Sequence, residues 1–327
     1  MAYKSEVYIK ARAALDERRR KAEREQQARR AEAEKKCPTL AAVEREMASY
    51  GAEAIRLVGK GVDVDKEIAK LAEKSREIQA ARRAILVEAG FHEDYLDVKY
   101  HCPVCNDTGS HDGYYCDCYR KLVVETARKE LCSLSLLDAS SFENFSLDYY
   151  SDEIDDEIGI SPRSQMEDAL ETCRRFAENF KPGIRGIFIS GMTGLGKTHL
   201  SLAIADTVTK KGYNVCYTSA QNAVHKLERE HFRRDEEQTN LLDELCTADL
   251  LVIDDLGAEF STGFTVSQIY NIINTRIVDG RPTVISTNLT FTEIESKYSQ
   301  RVLSRIVGSF EIVRCFGTDI RMKKLGE

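Results

Sequence analysis

The chain has 327 residues, 42% hydrophobic and 31% charged, with 47 Lys/Arg against 54 Asp/Glu and a formal charge of −7. That is too much apolar material for a disordered chain and enough for about two domains. No apolar run approaches the roughly 18 residues of a membrane span, since the longest greasy stretches, Ile187–Ile189 and Leu250–Ile253, are strand-sized. The first twelve residues include polar ones where a secretory signal needs its apolar segment. Ten cysteines without such a signal indicate a reducing, cytoplasmic setting, in which thiols are metal ligands, catalytic groups or core filler.

Residues 1–36 carry twelve Lys/Arg and seven Asp/Glu with no Gly or Pro, a basic helical arm. Its apolar residues, Tyr8, Ala11 and Leu15 among them, are too sparse for a heptad seam, so it reads either as a solvated helix or as a partner-binding arm. Residues 37–138 form a helical N-terminal domain. Pro38 opens a helix, a second runs from Asp65 to Ala89 and stops at Gly90, and a third returns from Lys121 to about Leu131 after a cysteine-dense stretch at 101–119. Residues 139–165 make an acidic linker. Seven acids and no Lys or Arg fall between Phe142 and Glu157, with Phe142, Phe145, Tyr149 and Tyr150 available to dock part of it. Residues 166–327 alternate strands (Gly186–Ser190, Asn214–Thr218, Leu250–Asp254, Thr283–Thr287, Phe310–Cys315) with helices (His199–Lys211, Ala220–Glu230, Val266–Asp279). This predicts an α/β domain with a parallel sheet flanked by helices.

Gly191-Met192-Thr193-Gly194-Leu195-Gly196-Lys197-Thr198 matches G-x-x-x-x-G-K-[ST] in full, after a strand and at the start of a helix. Glycines let backbone N–H groups wrap a phosphate, and the helix N-terminus adds partial positive charge. Lys197 is expected to reach the β and γ phosphates of ATP and Thr198 to ligate Mg²⁺, with His199 the last of the expected nucleotide contacts. Hydrolysis needs acids at the end of another buried strand. Leu250-Leu251-Val252-Ile253-Asp254-Asp255 supplies them, with Asp254 holding Mg²⁺ through water and Asp255 orienting or deprotonating the attacking water. Glu259 is a weaker accessory acid. Asn288, ending Thr283-Val284-Ile285-Ser286-Thr287-Asn288, is placed to hydrogen-bond the γ-phosphate or the water.

Cys102 and Cys105 followed by Cys116 and Cys118 give C-x2-C-x10-C-x-C, with Gly109 and Gly113 in the intervening loop. Four thiolates on two turns can enclose one structural Zn²⁺, and His101 or His111 could replace one of them. The other cysteines lack metal spacing, and Cys216 and Cys315 read as strand core. Only six histidines are present and no Ser/His/Asp constellation stands out, so nucleophilic catalysis is not indicated.

The three nucleotide motifs together resemble the AAA+ ATPases. Val252-Ile253-Asp254-Asp255-Leu256-Gly257-Ala258-Glu259, Ser286-Thr287-Asn288, Arg301-Val302-Leu303-Ser304-Arg305-Ile306 and the lead-in Ser141-Phe142-Glu143-Asn144-Phe145 look like the DnaC/DnaI type of bacterial replicative helicase loader. The likeness covers about residues 140–327, with a weaker match in the cysteine region. It implies an ATP-switched factor that binds the hexameric replicative DNA helicase and helps place it on single-stranded DNA, and it implies no C-terminal lid. It also implies that Arg305, or its neighbour Arg301, is an arginine finger acting in an adjacent subunit's ATP site during ATP-dependent self-association, and that Arg321 senses nucleotide. Many AAA+ proteins have Glu where this chain has Asp255; the shorter arm suits a slow, partner-stimulated switch. In similar loaders a zinc-bearing N-terminal domain contacts the helicase. Two other functions fit the residues: an IstB-like ATPase helper of a transposase, and a zinc-organised ATP-binding adaptor with little turnover.

Overall fold

The computed structural model of the chain describes residues 3–58, 65–131, 134–156, 159–232 and 241–320. In chain order its elements are α1 (Ser5–Lys36), α2 (Leu40–Val58), α3 (Asp65–Glu88), β1 (Ser110–His111), β2 (Tyr114–Tyr115), α4 (Asp117–Leu131), α5 (Leu134–Ala139) and α6 (Pro162–Glu178). There follow β3 (Gly186–Ser190), α7 (Lys197–Lys210), β4 (Val215–Ser219), α8 (Ala220–Phe232), α9 (Leu241–Thr247), β5 (Leu250–Leu256) and α10 (Gly263–Val278). The last are β6 (Thr283–Thr287), α11 (Phe291–Tyr298), α12 (Gln300–Ser309) and β7 (Phe310–Arg314). They form two compact units, one of Lys10–Arg120 and one of Met1–Ile9 with Lys121–Glu327. Among the described residues no helix is long and apolar enough to cross a membrane.

In the first unit a few apolar residues of α1 are packed against the rest of the chain. Ala11, Leu15 and Ala33 are wholly buried, and Arg12 donates to the Thr108 carbonyl at 2.8 Å. A small core joins Ala33, Leu40, Leu86 and Leu96. The expected stop at Gly90 occurs through a Schellman pair: with Gly90 at φ +80°, Phe91 N–H donates to the Leu86 carbonyl at 2.9 Å and Gly90 N–H to that of Val87 at 3.0 Å. The β1–β2 hairpin turns on Asp112 and Gly113, both at positive φ, as a two-residue type I′ connection requires.

The second unit holds the expected parallel sheet, ordered β4-β5-β6-β3-β7 with every pairing parallel. Alternation along each strand feeds two apolar layers. Ile187, Ile189, Leu250, Val252 and Val284 pack on one face with α6 and α7. Phe188, Leu251, Ile253 and Ile285 pack on the other with residues of α8, α10 and α12. Helix α6, not singled out by the strand–helix pattern, starts at Pro162 behind the Ser161 cap and buries Met166, Ala169, Cys173 and Phe176. The acidic stretch before it carries its aromatic residues inward, with Phe142 and Tyr150 in the first layer. At the start of the chain the Tyr3 hydroxyl donates to the Thr209 carbonyl at 2.6 Å, and Lys4 pairs with Glu244.

The chain passes from β3 to the far edge strand β4 and returns through β5 and β6 to lie beside β3 again. This places the carboxyl ends of β3, β5 and β6 side by side at a topological switch point, where open α/β sheets bind ligands.

Candidate functional site

The phosphate loop follows β3 without a break and enters α7 at Gly196, whose φ of +84° gives the helix a left-handed cap with no side-chain hydrogen bond. The first amides of α7 are therefore left open to an anion. Two glycines here have no substitute. A Cβ on Gly194 would stand 1.8 Å from Asp319 Oδ1, and one on Gly196 would stand 2.8 Å from the Phe145 ring.

Strand β5 ends in a break of register. Pairing with β6 is lost between Ile253 and Leu256, and Asp255 adopts φ +57°. The bulge re-aims two successive carboxylates. Asp254 is nearly buried, at 8% exposure, and accepts three hydroxyl bonds: from Thr198 Oγ1 at 3.0 Å to Oδ2, from Tyr217 at 2.8 Å to Oδ2, and from Ser286 to Oδ1. The Asp255 amide donates to Ser286 Oγ at 2.8 Å, so one serine secures both residues of the bulge. Lys197, 7% exposed, donates to the Met192 carbonyl at 2.7 Å and to Asn288 Oδ1 at 2.5 Å. Asn288 Nδ2 donates in turn to Asp255 Oδ1 at 2.8 Å.

The phosphate-loop residues from Thr193 to Thr198 line a cavity of about 500 Å³ together with His199, Asp254, Asp255 and Asn288. The cavity is also lined by Asn144, Phe145, Tyr149, Tyr150 and Ile320. The Tyr150 hydroxyl donates to the Leu195 carbonyl at 3.1 Å, and burial holds its ionisation well above the usual tyrosine range. His199 Nε2 bonds the Ser141 carbonyl at 2.7 Å, and its ring meets Phe145 edge-on at 5.2 Å. Met192 is 74% exposed. Cys315, against which Gly191 packs, is pushed up to about 12 by burial despite the neighbouring Lys197 charge. Thr198 and Asp254 offer only hard oxygen donors, a set that fits Mg²⁺.

Glu259 does not reach this site. Its buried carboxylate accepts from the Tyr298 hydroxyl and from Gly257 N–H at 3.0 Å and pairs with Lys297 at 3.6 Å, so the accessory acid expected from sequence is a structural tie. Arg301 and Arg305 are exposed on α12 and line no part of their own chain's cavity. Arg321 lies outside the described residues. Tyr217 and Ser286 were missed as Asp254 partners. The available signal was a hydroxyl near the end of each strand flanking β5, where the pairing sets Ser219 opposite Asp254.

In the other unit Cys102, Cys105, Cys116 and Cys118 converge, all four Sγ atoms within 4.8 Å of one another. Cys102 and Cys116 are 3.8 Å apart and Cys105 and Cys118 are 3.3 Å apart. Tetrahedral thiolates on zinc stand about 3.8 Å apart, given a Zn–S bond near 2.3 Å, so the four residues fit that ion. The first turn is shaped by buried Asp107, which accepts from the amides of His101 (2.8 Å) and Cys102 (2.9 Å). Burial acts to raise the Cys105 thiol, but hydrogen bonds from Cys118, Gly109 and the other two thiols outweigh it and bring it down to about 7. Burial and the neighbouring sulfurs raise Cys118. Neither histidine belongs to the cluster: His101 is exposed and His111 pairs with Asp112 at 3.2 Å.

Residues 173–326 match the family model described as IstB-like ATP binding protein. The replicative helicase loader DnaC of Escherichia coli (strain K12) is 28% identical over 138 residues, 42% of this chain and 56% of that protein. The DnaC loader of Buchnera aphidicola subsp. Baizongia pistaciae is 25% identical over 154 residues, 46% of this chain and 62% of that one. The chain thus spans little more than half the length of these curated relatives. Among solved structures, that of the DnaC helicase loader is similar at 26% identity and a TM-score of 0.44, over 53% of this chain and 97% of that one. That of DnaI is similar at 22% identity and a TM-score of 0.45, over 59% and 99%. The resemblance to DnaC-type AAA+ loaders read from the motifs is borne out by the DnaC and IstB-like sequence matches.

Proposed function

We propose that this chain, whose ATP-binding half resembles DnaC-type AAA+ proteins, is an ATP-dependent helicase loader that binds a hexameric replicative DNA helicase and assists its placement on single-stranded DNA during replication initiation. The observation that carries the enzymatic part is the convergence of Lys197, Thr198, Asp254, Asp255 and Asn288 on one cavity. In this reading Lys197 leaves Asn288 for the β and γ phosphates, and the open amides of α7 cradle them. Thr198 and Asp254 would hold Mg²⁺, which would offset the charge of the phosphates. Asp255 orients or deprotonates the attacking water, and Asn288 fixes Asp255 through its amide. The rings of Phe145 and Tyr150 flank the phosphate loop at Gly196. Turnover is slow and partner-stimulated, and Arg305, exposed on α12, completes the site of a neighbouring copy in an ATP-dependent assembly. Cys102, Cys105, Cys116 and Cys118 hold a structural zinc. The acidity of the chain makes its DNA affinity modest and strongly salt-dependent.

Co-elution with the host's replicative helicase, with and without ATP and Mg²⁺, tests this function. A shared high-mass peak that is lost on removing residues 1–135 supports a loader docking through its N-terminal region. Separate peaks under every nucleotide condition refute it. The IstB-like family match favours the second reading, a transposase helper, which is distinguished by ATP-dependent binding of duplex DNA and a transposase in place of the helicase. An ATPase rate unaffected by Lys197→Ala, with partner binding intact, would instead mark a zinc-organised adaptor.

A further inference from the structure

Asp254 is a buried carboxylate that makes no ion pair among the described residues, and its charge rests on three hydroxyl donors. Those donors are not equivalent. Thr198 carries one hydrogen and two lone pairs, so its oxygen is shared between Asp254 and any cation it ligates. Ser286 Oγ is committed twice, donating to Asp254 and accepting the Asp255 amide, and so belongs to the bulge itself. Tyr217 is different. It comes from β4, where it is half-buried opposite Val252, and its hydroxyl reaches Asp254 Oδ2 at 2.8 Å. A phenol on a rigid ring in a paired strand is a donor of fixed position, which a flexible side chain is not.

We propose that Tyr217 is a positioning residue for the cation-binding carboxylate, fixing Asp254 Oδ2 from a strand outside the phosphate loop while Ser286 fixes Oδ1. This rests on the nucleotide-site reading above. The competing view is that Tyr217 is a packed ring whose hydroxyl is merely satisfied; the two differ in what the loss of one oxygen does to magnesium.

The test is Tyr217→Phe in the full chain, with a fluorescent ATP analogue titrated at a series of Mg²⁺ concentrations and in EDTA. A hydrogen bond to a charged group carries enough free energy for the Mg²⁺ concentration at half-effect to rise about tenfold. Affinity in EDTA should stay within about twofold and excess Mg²⁺ should restore binding, because the ring and the phosphate loop are intact. Tyr217→Leu, which also removes the ring, must raise the Mg²⁺ requirement at least as far. Thermal melting in EDTA separates this from a loss of fold, which moves both titrations together. An unchanged Mg²⁺ requirement in Tyr217→Phe overturns the proposal, as does a rise seen only in Tyr217→Leu. Failure of the unaltered chain to bind the analogue at any Mg²⁺ concentration overturns the nucleotide-site reading itself, and is recognised because it needs no variant.

Discussion

Asn288 links the two halves of the proposed ATP site, and its replacement separates positioning from binding. In Asn288→Ala, Lys197 loses one acceptor but keeps the Met192 carbonyl, whereas the Asp255 carboxylate loses the amide donor 2.8 Å away. Asn288 is exposed in the open site, so the low end of the range for hydrogen bonds to a charged group applies, about 1.5 kcal/mol, or roughly tenfold in rate. The expected outcome is a turnover number down about tenfold with ATP affinity within about threefold. Asn288→Asp keeps an acceptor for Lys197 but sets a second carboxylate against Asp255. Two like charges at that spacing repel by about 1.5 to 6 kcal/mol for an effective dielectric between 80 and 20, so turnover falls at least as far as in the alanine variant. Single-turnover hydrolysis of labelled ATP, beside titration of a fluorescent analogue, reads the two quantities separately. An alanine variant turning over within twofold of the unaltered chain would refute the argument. So would a loss of affinity with turnover unchanged, which would make Asn288 a binding residue only.

Arg276 is wholly buried and donates to the carbonyls of Leu245, Cys246, Ala248 and Pro282 and to Thr283 Oγ1, and burial lowers its pKa to about 10. Arg276→Met leaves those acceptors unpaired but relieves a desolvated charge. The net loss should be about 3–4 kcal/mol and the melting temperature about 10 °C lower by circular dichroism, and a shift under about 2 °C would refute the estimate. Metal analysis should find about one zinc per chain and none in Cys102→Ser or Cys116→Ser; a chain refolded with excess zinc that retains none would rule out the tetrathiolate site. Gly196→Ala combines an unfavourable φ with a clash on Phe145 and should weaken nucleotide binding at least about tenfold in the analogue titration. Undiminished affinity would show that the loop does not need its left-handed turn.

The phosphate loop, the acids ending β5 and the four cysteines were legible because each is a contiguous pattern whose spacing encodes its geometry. Strands β3 and β6 have the bounds expected from sequence, since both are short apolar runs closed by polar residues. What escaped was decided by pairing between distant segments. Tyr217 meets Asp254 because β4 and β5 are neighbours in a particular register, which no local pattern states. Glu259 illustrates the reverse error. Its nearness in sequence to Asp255 suggested a shared site, but the bulge turns the chain and Tyr298, 39 residues on, claims the carboxylate. Burial of Leu15 in a helix of such high charge was equally hidden, because it depends on the Gly109 turn coming to lie against it.

The left-handed backbone at Asp255 bears on how this site can change over generations. A short polar side chain tolerates that conformation, while a longer one such as glutamate is disfavoured there by about 1 kcal/mol or more. Exchanging the second acid for Glu is therefore not a simple gain of reach. It favours flattening the bulge, and a flattened bulge would carry Asp254 out of register with Ser286 and Tyr217. The placement of both acids depends on the kink between them, and a glutamate at the second position works against that kink.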